Sequence, residues 1–164
     1  MTFEKTATRI WKRLSPEERL AAATRLWERP PEEVVAGALG AIVTARHLRP
    51  QVARSLPPDA RARALAAILD PGEAVAASLL VALHLGERRP MLVTFLDAAG
   101  LPHDDGILKD DGVPPAPIGE KAARAGIRGL AAAFPPQHVQ TYLNTLWLQD
   151  PERWGALEKA AEGF

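Results

Sequence analysis

The sequence predicts an all-α fold, a compact bundle of about 7–9 helices. Three observations carry that expectation. Prolines stand repeatedly just ahead of apolar runs, where a missing N–H is harmless and a fixed φ already suits a helix. The apolar residues behind them recur at helical spacing. Sustained period-two alternation, the mark of a half-buried strand, is missing throughout.

Element by element, a short helix is expected over residues 3–13. Ser15-Pro16-Glu17-Glu18 forms a capping box with proline at the first helical position, opening a helix to about Glu28. Pro30-Pro31-Glu32-Glu33 opens the next, to about Leu48, and Pro57-Pro58-Asp59 a third, ending near Leu69. Asp70-Pro71-Gly72-Glu73 reads as a second capping box. Pro90 opens a helix that Gly100 closes in the left-handed conformation. Helices over Ile118–Phe134, Pro136–Gln149 and Pro151 to about Glu162 complete the set.

Two helices read as the centre. No charge falls between Glu33 and Arg46, where Val34, Val35, Ala38, Leu39, Ile42 and Val43 recur at helical spacing. The same holds for Val75, Leu79, Leu80 and Leu83 between Glu73 and Glu87. Helices apolar nearly all round are buried ones, so 34–47 and 74–85 are expected in the core. An exposed Val/Leu face on either would instead mark an interface. Gly37 and Gly40 weaken their helix unless a neighbour packs on that small face.

The chain also echoes itself. Leu14, Pro16, Glu17, Arg19, Ala22 and Leu26 recur 42 residues on as Leu56, Pro58, Asp59, Arg61, Ala64 and Ile68. Glu33, Val35, Ala36, Leu39 and Pro50 recur 40 residues on as Glu73, Val75, Ala76, Leu79 and Pro90. This spacing suits two helical-pair repeats followed by a C-terminal pair, all within a single domain spanning 1–164.

Composition narrows the function classes. The 20 basic and 20 acidic residues balance, so no net field recruits nucleic acid or an acidic membrane. Cysteine is absent, which removes disulfides, thiolate zinc sites and cysteine nucleophiles, and suits a reducing, cytoplasmic setting. The first residues lack the apolar run of a signal peptide, and the apolar stretches 34–45 and 74–86 are too short to span a bilayer. Richness in Ala, Arg and Pro matches a GC-rich bacterial genome.

The segment 101–117 is expected to be a long loop between two helical subregions, and it holds the densest acid in the chain. His103-Asp104, with His84 upstream and Asp150 downstream, resembles the signature of HD-type metal phosphohydrolases. That resemblance implies a divalent ion held by two imidazoles and two carboxylates, activating water. The family carries its pair on a helix, whereas Pro102 and Gly106 flank this one. Asp104, Asp105, Asp110 and Asp111 lack the ligand spacing of an EF-hand. Asp-Gly steps are good turn formers and their carboxylates solvate a loop, which is the preferred reading of His103, Asp104 and Asp105. No catalytic residue, metal site or cofactor is therefore assigned.

His47 and His138 read as capping or packed residues, and Trp27 and Trp147 as core. Arg46, Arg49, Arg54, Arg61 and Arg63 could line up against phosphate, but aromatic interleaving is missing and a solvated surface is the simpler reading. The leading expectation is a helical module that works by contact with another protein or its own copy. A metal-dependent hydrolase and a weak nucleic-acid binder are the alternatives.

Overall fold

The computed structural model describes residues 3–109, 112 and 116–162. Helix dominates and strand is marginal, so the fold is all-α. The chain forms two compact units, one of Thr6–Glu87, the other of Arg88 onward with the residues up to Lys5. Among the described residues no helix is long and apolar enough to cross a membrane.

The N-terminal unit comprises α1 (Ala7–Arg13), α2 (Pro16–Glu28), α3 (Glu32–Arg46), α4 (Pro50–Ser55), α5 (Pro58–Ala66) and α6 (Glu73–Leu85). At its centre lies α6, against α1, α2 and α3. Its Val75, Ala76, Leu79, Leu80, Ala82 and Leu83 are all buried, as the uncharged run predicts. The first box forms as expected: Ser15 accepts from the Glu18 N–H while the Glu18 carboxylate accepts from the Ser15 N–H. Trp11 is wholly buried and its indole N–H donates to the Ile68 carbonyl at 2.8 Å. Arg19 donates to the carbonyls of Leu14 and Ala66, joining the entry of α2 to the exit of α5.

Three expectations need correction here. The second capping box does not form: α6 starts at Glu73 behind Gly72, whose φ of 92° suits only glycine. The Glu73 carboxylate reaches instead to the start of α1, and Asp70 pairs with Lys12 at 3.2 Å. An unexpected helix, α4, occupies 50–55. Finally, α3 is not a core helix. It buries only Val34, Ala38 and Ile42, one side of its fifteen residues.

The C-terminal unit holds α7 (Arg89–Ala99), a hairpin of β1 (His103–Asp104) and β2 (Ile107–Leu108), then α8 (Glu120–Ala133), α9 (Pro136–Gln149), α10 (Pro151–Trp154) and α11 (Ala156–Ala160). Gly100 closes α7 at φ 69°, and the Leu101 N–H returns to the Leu96 carbonyl in a Schellman motif. α7 and α8 pack closely because α8 carries no side chain at the crossing. A Cβ on Gly126 would stand 2.5 Å from the Phe95 ring, and one on Gly129 2.8 Å from the Ala98 Cβ. Phe95 is itself enclosed edge-on by Tyr142 and Trp154, with centroids 5.7 and 5.9 Å away.

Candidate functional site

Part of the segment expected as a long loop forms a β-hairpin. Asp104 pairs with Ile107 in an antiparallel register, so Asp105-Gly106 is a two-residue hairpin turn. Both residues have positive φ, 47° and 83°, the requirement of a type I′ turn that Asp-Gly meets well. Gly106 also lies against α7, where a Cβ would come within 2.8 Å of the Leu92 Cβ. Strands of two residues lie below the length at which alternation can announce them.

This hairpin occupies the chemistry of His103. Its Nδ1 accepts the Gly106 N–H at 3.1 Å, which places the proton of the neutral ring on Nε2, facing the Asp97 carboxylate at 3.0 Å. Ligation of a metal needs a free ring lone pair, so His103 would first have to surrender one of these bonds. Asp105 pairs with Arg89 at 2.5 Å, and Asp104 is exposed. Asp110 and Asp111 lie outside the described residues.

The two remaining members of the resemblance are placed as follows. His84 is buried within α6, with Nδ1 at 2.8 Å from the Leu80 carbonyl of the preceding turn. Asp150 caps α10 by accepting the Arg153 N–H at 2.9 Å. Among the described residues, no three His, Asp or Glu side chains gather where they could hold a metal ion.

The arginine stretch is spread over three helices of the N-terminal unit. Arg46 ends α3, Arg49 immediately precedes α4, Arg54 lies within α4, and Arg61 and Arg63 belong to α5. Arg63 pairs with Asp59 at 3.0 Å. Arg61 stacks over Trp27, 4.8 Å from its ring centroid. Two of the five are thus engaged within the fold, while Arg46, Arg49 and Arg54 are exposed. Trp27 is buried, whereas Trp147 is only half-buried.

What composition does not foretell is the open side of α3. Val35, Leu39 and Val43 are half-buried along one row, and beside them Ala36, Gly40 and Thr44 are exposed along the next. Residues four apart on a helix stack in such rows, so the first is a low ridge and the second a groove. The groove deepens into an open depression of about 360 Å³ between Gly40, Ala41, Thr44 and Ala45 of α3 and the turn Ile68, Asp70–Gly72. Leu69, in that turn, is 51% exposed. Gly37 approaches Val75 of α6, where its Cβ would meet the Val75 side chain at 3.1 Å, while nothing stands within 4 Å of a Cβ on Gly40.

No family model, curated protein or solved structure matches the chain. α3 stands apart: a helix without charge from Val34 to Ala45, expected in the core, whose other side is open. The signal that could have located it is size, since Ala36, Gly37, Gly40 and Thr44 are too small for a core-filling row.

Proposed function

We propose that this chain is a protein-interaction module that acts without catalysis, and that the open side of α3 is its docking face. One observation carries the reading. No charge interrupts α3 from Val34 to Ala45, yet only one side of it is buried. A solvated helix face ordinarily carries charge, and an apolar one left open on a folded unit marks a contact surface.

Gly40→Glu tests it. The Cβ position is open, so the fold tolerates the change. Mass by light scattering across concentration, together with recovery of bound protein from lysate, should show an associated wild type and a variant that has lost its partner. A wild-type chain that binds nothing, yet hydrolyses a phosphoester and loses that activity in His103→Ala, would overturn the reading in favour of the metal hydrolase. Salt-sensitive oligonucleotide binding lost in an Arg46, Arg49 and Arg54 triple variant would do the same for the nucleic-acid reading.

A further inference from the structure

The charges at the two ends of α3 say which partner its face fits. Glu32 and Glu33 lie in its first turn and Arg46 in its last. All three are exposed, and none forms a salt bridge among the described residues. A helix with acid at one end, base at the other and no charge between them is self-complementary when two copies lie antiparallel. Each acidic end then meets the other's arginine, and the helix dipoles oppose favourably.

The residue sizes agree with that register. If Glu33 of one copy faces Arg46 of the other, facing positions sum to 79, and the two-fold axis passes between Leu39 and Gly40. Leu39 then faces Gly40, Val43 faces Ala36 and Val35 faces Thr44. Every half-buried branched side chain of the ridge meets a small exposed residue of the facing groove. Large side chains thus lie level with small ones at each layer of the pair, as close packing of two nearly aligned helices needs. The depression beside Gly40 and Thr44 lies where the partner's Leu39 and Val35 arrive. The balanced charge of the chain sets up no general repulsion between copies.

We propose that α3 is one half of a two-fold interface whose occupant is a second copy of this chain. The proposal rests on the docking reading above and adds the partner and the register. The face is a single helix about 22 Å long, with Leu69 at its flank, so the contact belongs to the small end of interface sizes. It should give a concentration-dependent monomer–dimer equilibrium in the micromolar range rather than a permanent dimer.

Sedimentation equilibrium on the full chain tests this through charge exchange. Arg46→Glu places acid at both ends of α3, and a Glu32→Arg, Glu33→Arg double variant places base at both. Each alone should dimerise at least about fivefold more weakly than wild type, from the loss of two exposed ion pairs and the like charges left facing. Mixed together, the two variants should form a heterodimer, because opposite charges face each other at both ends again. Gly40→Glu should be monomeric at every concentration, with a circular dichroism spectrum and melting curve showing that it folds.

Failure of the mixture to restore dimer, or a dimer indifferent to Gly40→Glu, would overturn the α3 pairing. A wild-type chain that stays monomeric also overturns it. If that monomer captures a foreign protein and Gly40→Glu abolishes the capture, self-pairing fails while the docking reading stands. If Gly40→Glu changes no association of any kind, both fail together.

Discussion

Glu73 holds the first helix of the chain from outside it, and removing its charge should be felt there. The residue before α1, Thr6, makes no side-chain cap, so the first N–H groups of that helix need an acceptor from elsewhere. The Glu73 carboxylate, at the start of α6, supplies it. One oxygen accepts the Ala7 N–H, and the other accepts the Thr8 N–H at 3.2 Å and the Thr8 hydroxyl at 2.7 Å. Burial pushes the Glu73 pKa up and the Asp70 charge adds slightly to that, but these three bonds outweigh both and hold it below its ordinary value.

Glu73→Gln keeps the shape and removes the charge. Its amide nitrogen is a donor, so one of the two backbone N–H groups would face a donor in place of an acceptor. Charge-assisted bonds contribute about 1.5–3 kcal/mol each when enclosed, and a charge at a helix N-terminus about 0.3–1 kcal/mol. Because Glu73 is exposed, most of that is screened, leaving about 1–1.5 kcal/mol for the whole cap. For a chain of this length the melting temperature should fall by about 2–6 °C at pH 7.

The sign of the pH dependence follows from the lowered pKa. The stabilisation is complete above the unfolded carboxyl's pKa, and it is lost as pH falls through the lower folded value. The gap between wild type and variant should therefore be constant above about pH 6 and close towards pH 3. Thermal melts of both proteins at the two ends of that range decide it. Equal melting at pH 7, or a gap of the same size at pH 3, would refute the capping role.

Three further outcomes follow from the C-terminal unit. Gly126→Ala drives a methyl to within 2.6 Å of two Phe95 ring atoms, and the ring is enclosed by Tyr142 and Trp154, so it cannot yield. Overpacking of about 3 kcal/mol, less about 1 kcal/mol gained in helix propensity, should leave a net loss near 2 kcal/mol in urea denaturation; an unchanged midpoint would show that α7 and α8 separate easily. His103→Ala should speed amide exchange at Gly106, whose N–H loses its acceptor, and Mn²⁺ or Mg²⁺ should leave the wild-type melting temperature unchanged; a rise of several degrees with metal would restore the HD-like reading.

The all-α fold was legible because its signals are local. Pro16, Pro58, Pro136 and Pro151 each stand at a helix start, and Ser15 with Glu18 close a box over three residues. Helix α4 carries the same proline signal at Pro50, but six residues are too few for a periodicity to show. The Glu73 cap could not be read, since its partners lie 65 and 66 residues away and a glutamate behind Asp-Pro-Gly already has a local explanation. The hairpin at 103–108 was visible only as its turn. Helix α3 was misjudged because hydropathy scores Ala, Gly and Thr as compatible with a core, whereas a core is filled by volume. In α6, where the expectation holds, Leu79, Leu80 and Leu83 face several directions and each is met by a neighbour.

The distribution of polar groups gives the same division of labour from the other side. Catalysis needs titratable side chains converging on an open cleft, with protons or lone pairs at their disposal. In this chain the carboxylates of Glu18, Glu73 and Asp150 terminate helices, and His103 with Asp97 and Asp105 with Arg89 fasten the hairpin to α7. Arg61 covers Trp27, and Arg124 and Lys159 both hold Glu120 at the start of α8. These groups already have architectural partners, and freeing any one of them for chemistry would forfeit that contact. The open side of α3 carries no such obligation: Gly40 faces empty space, Ala36 and Thr44 are exposed, and the charges that bracket them meet nothing in their own unit. A surface that contributes little to its own fold, yet avoids charge over three helical turns, is explained more simply by something that covers it than by anything it holds.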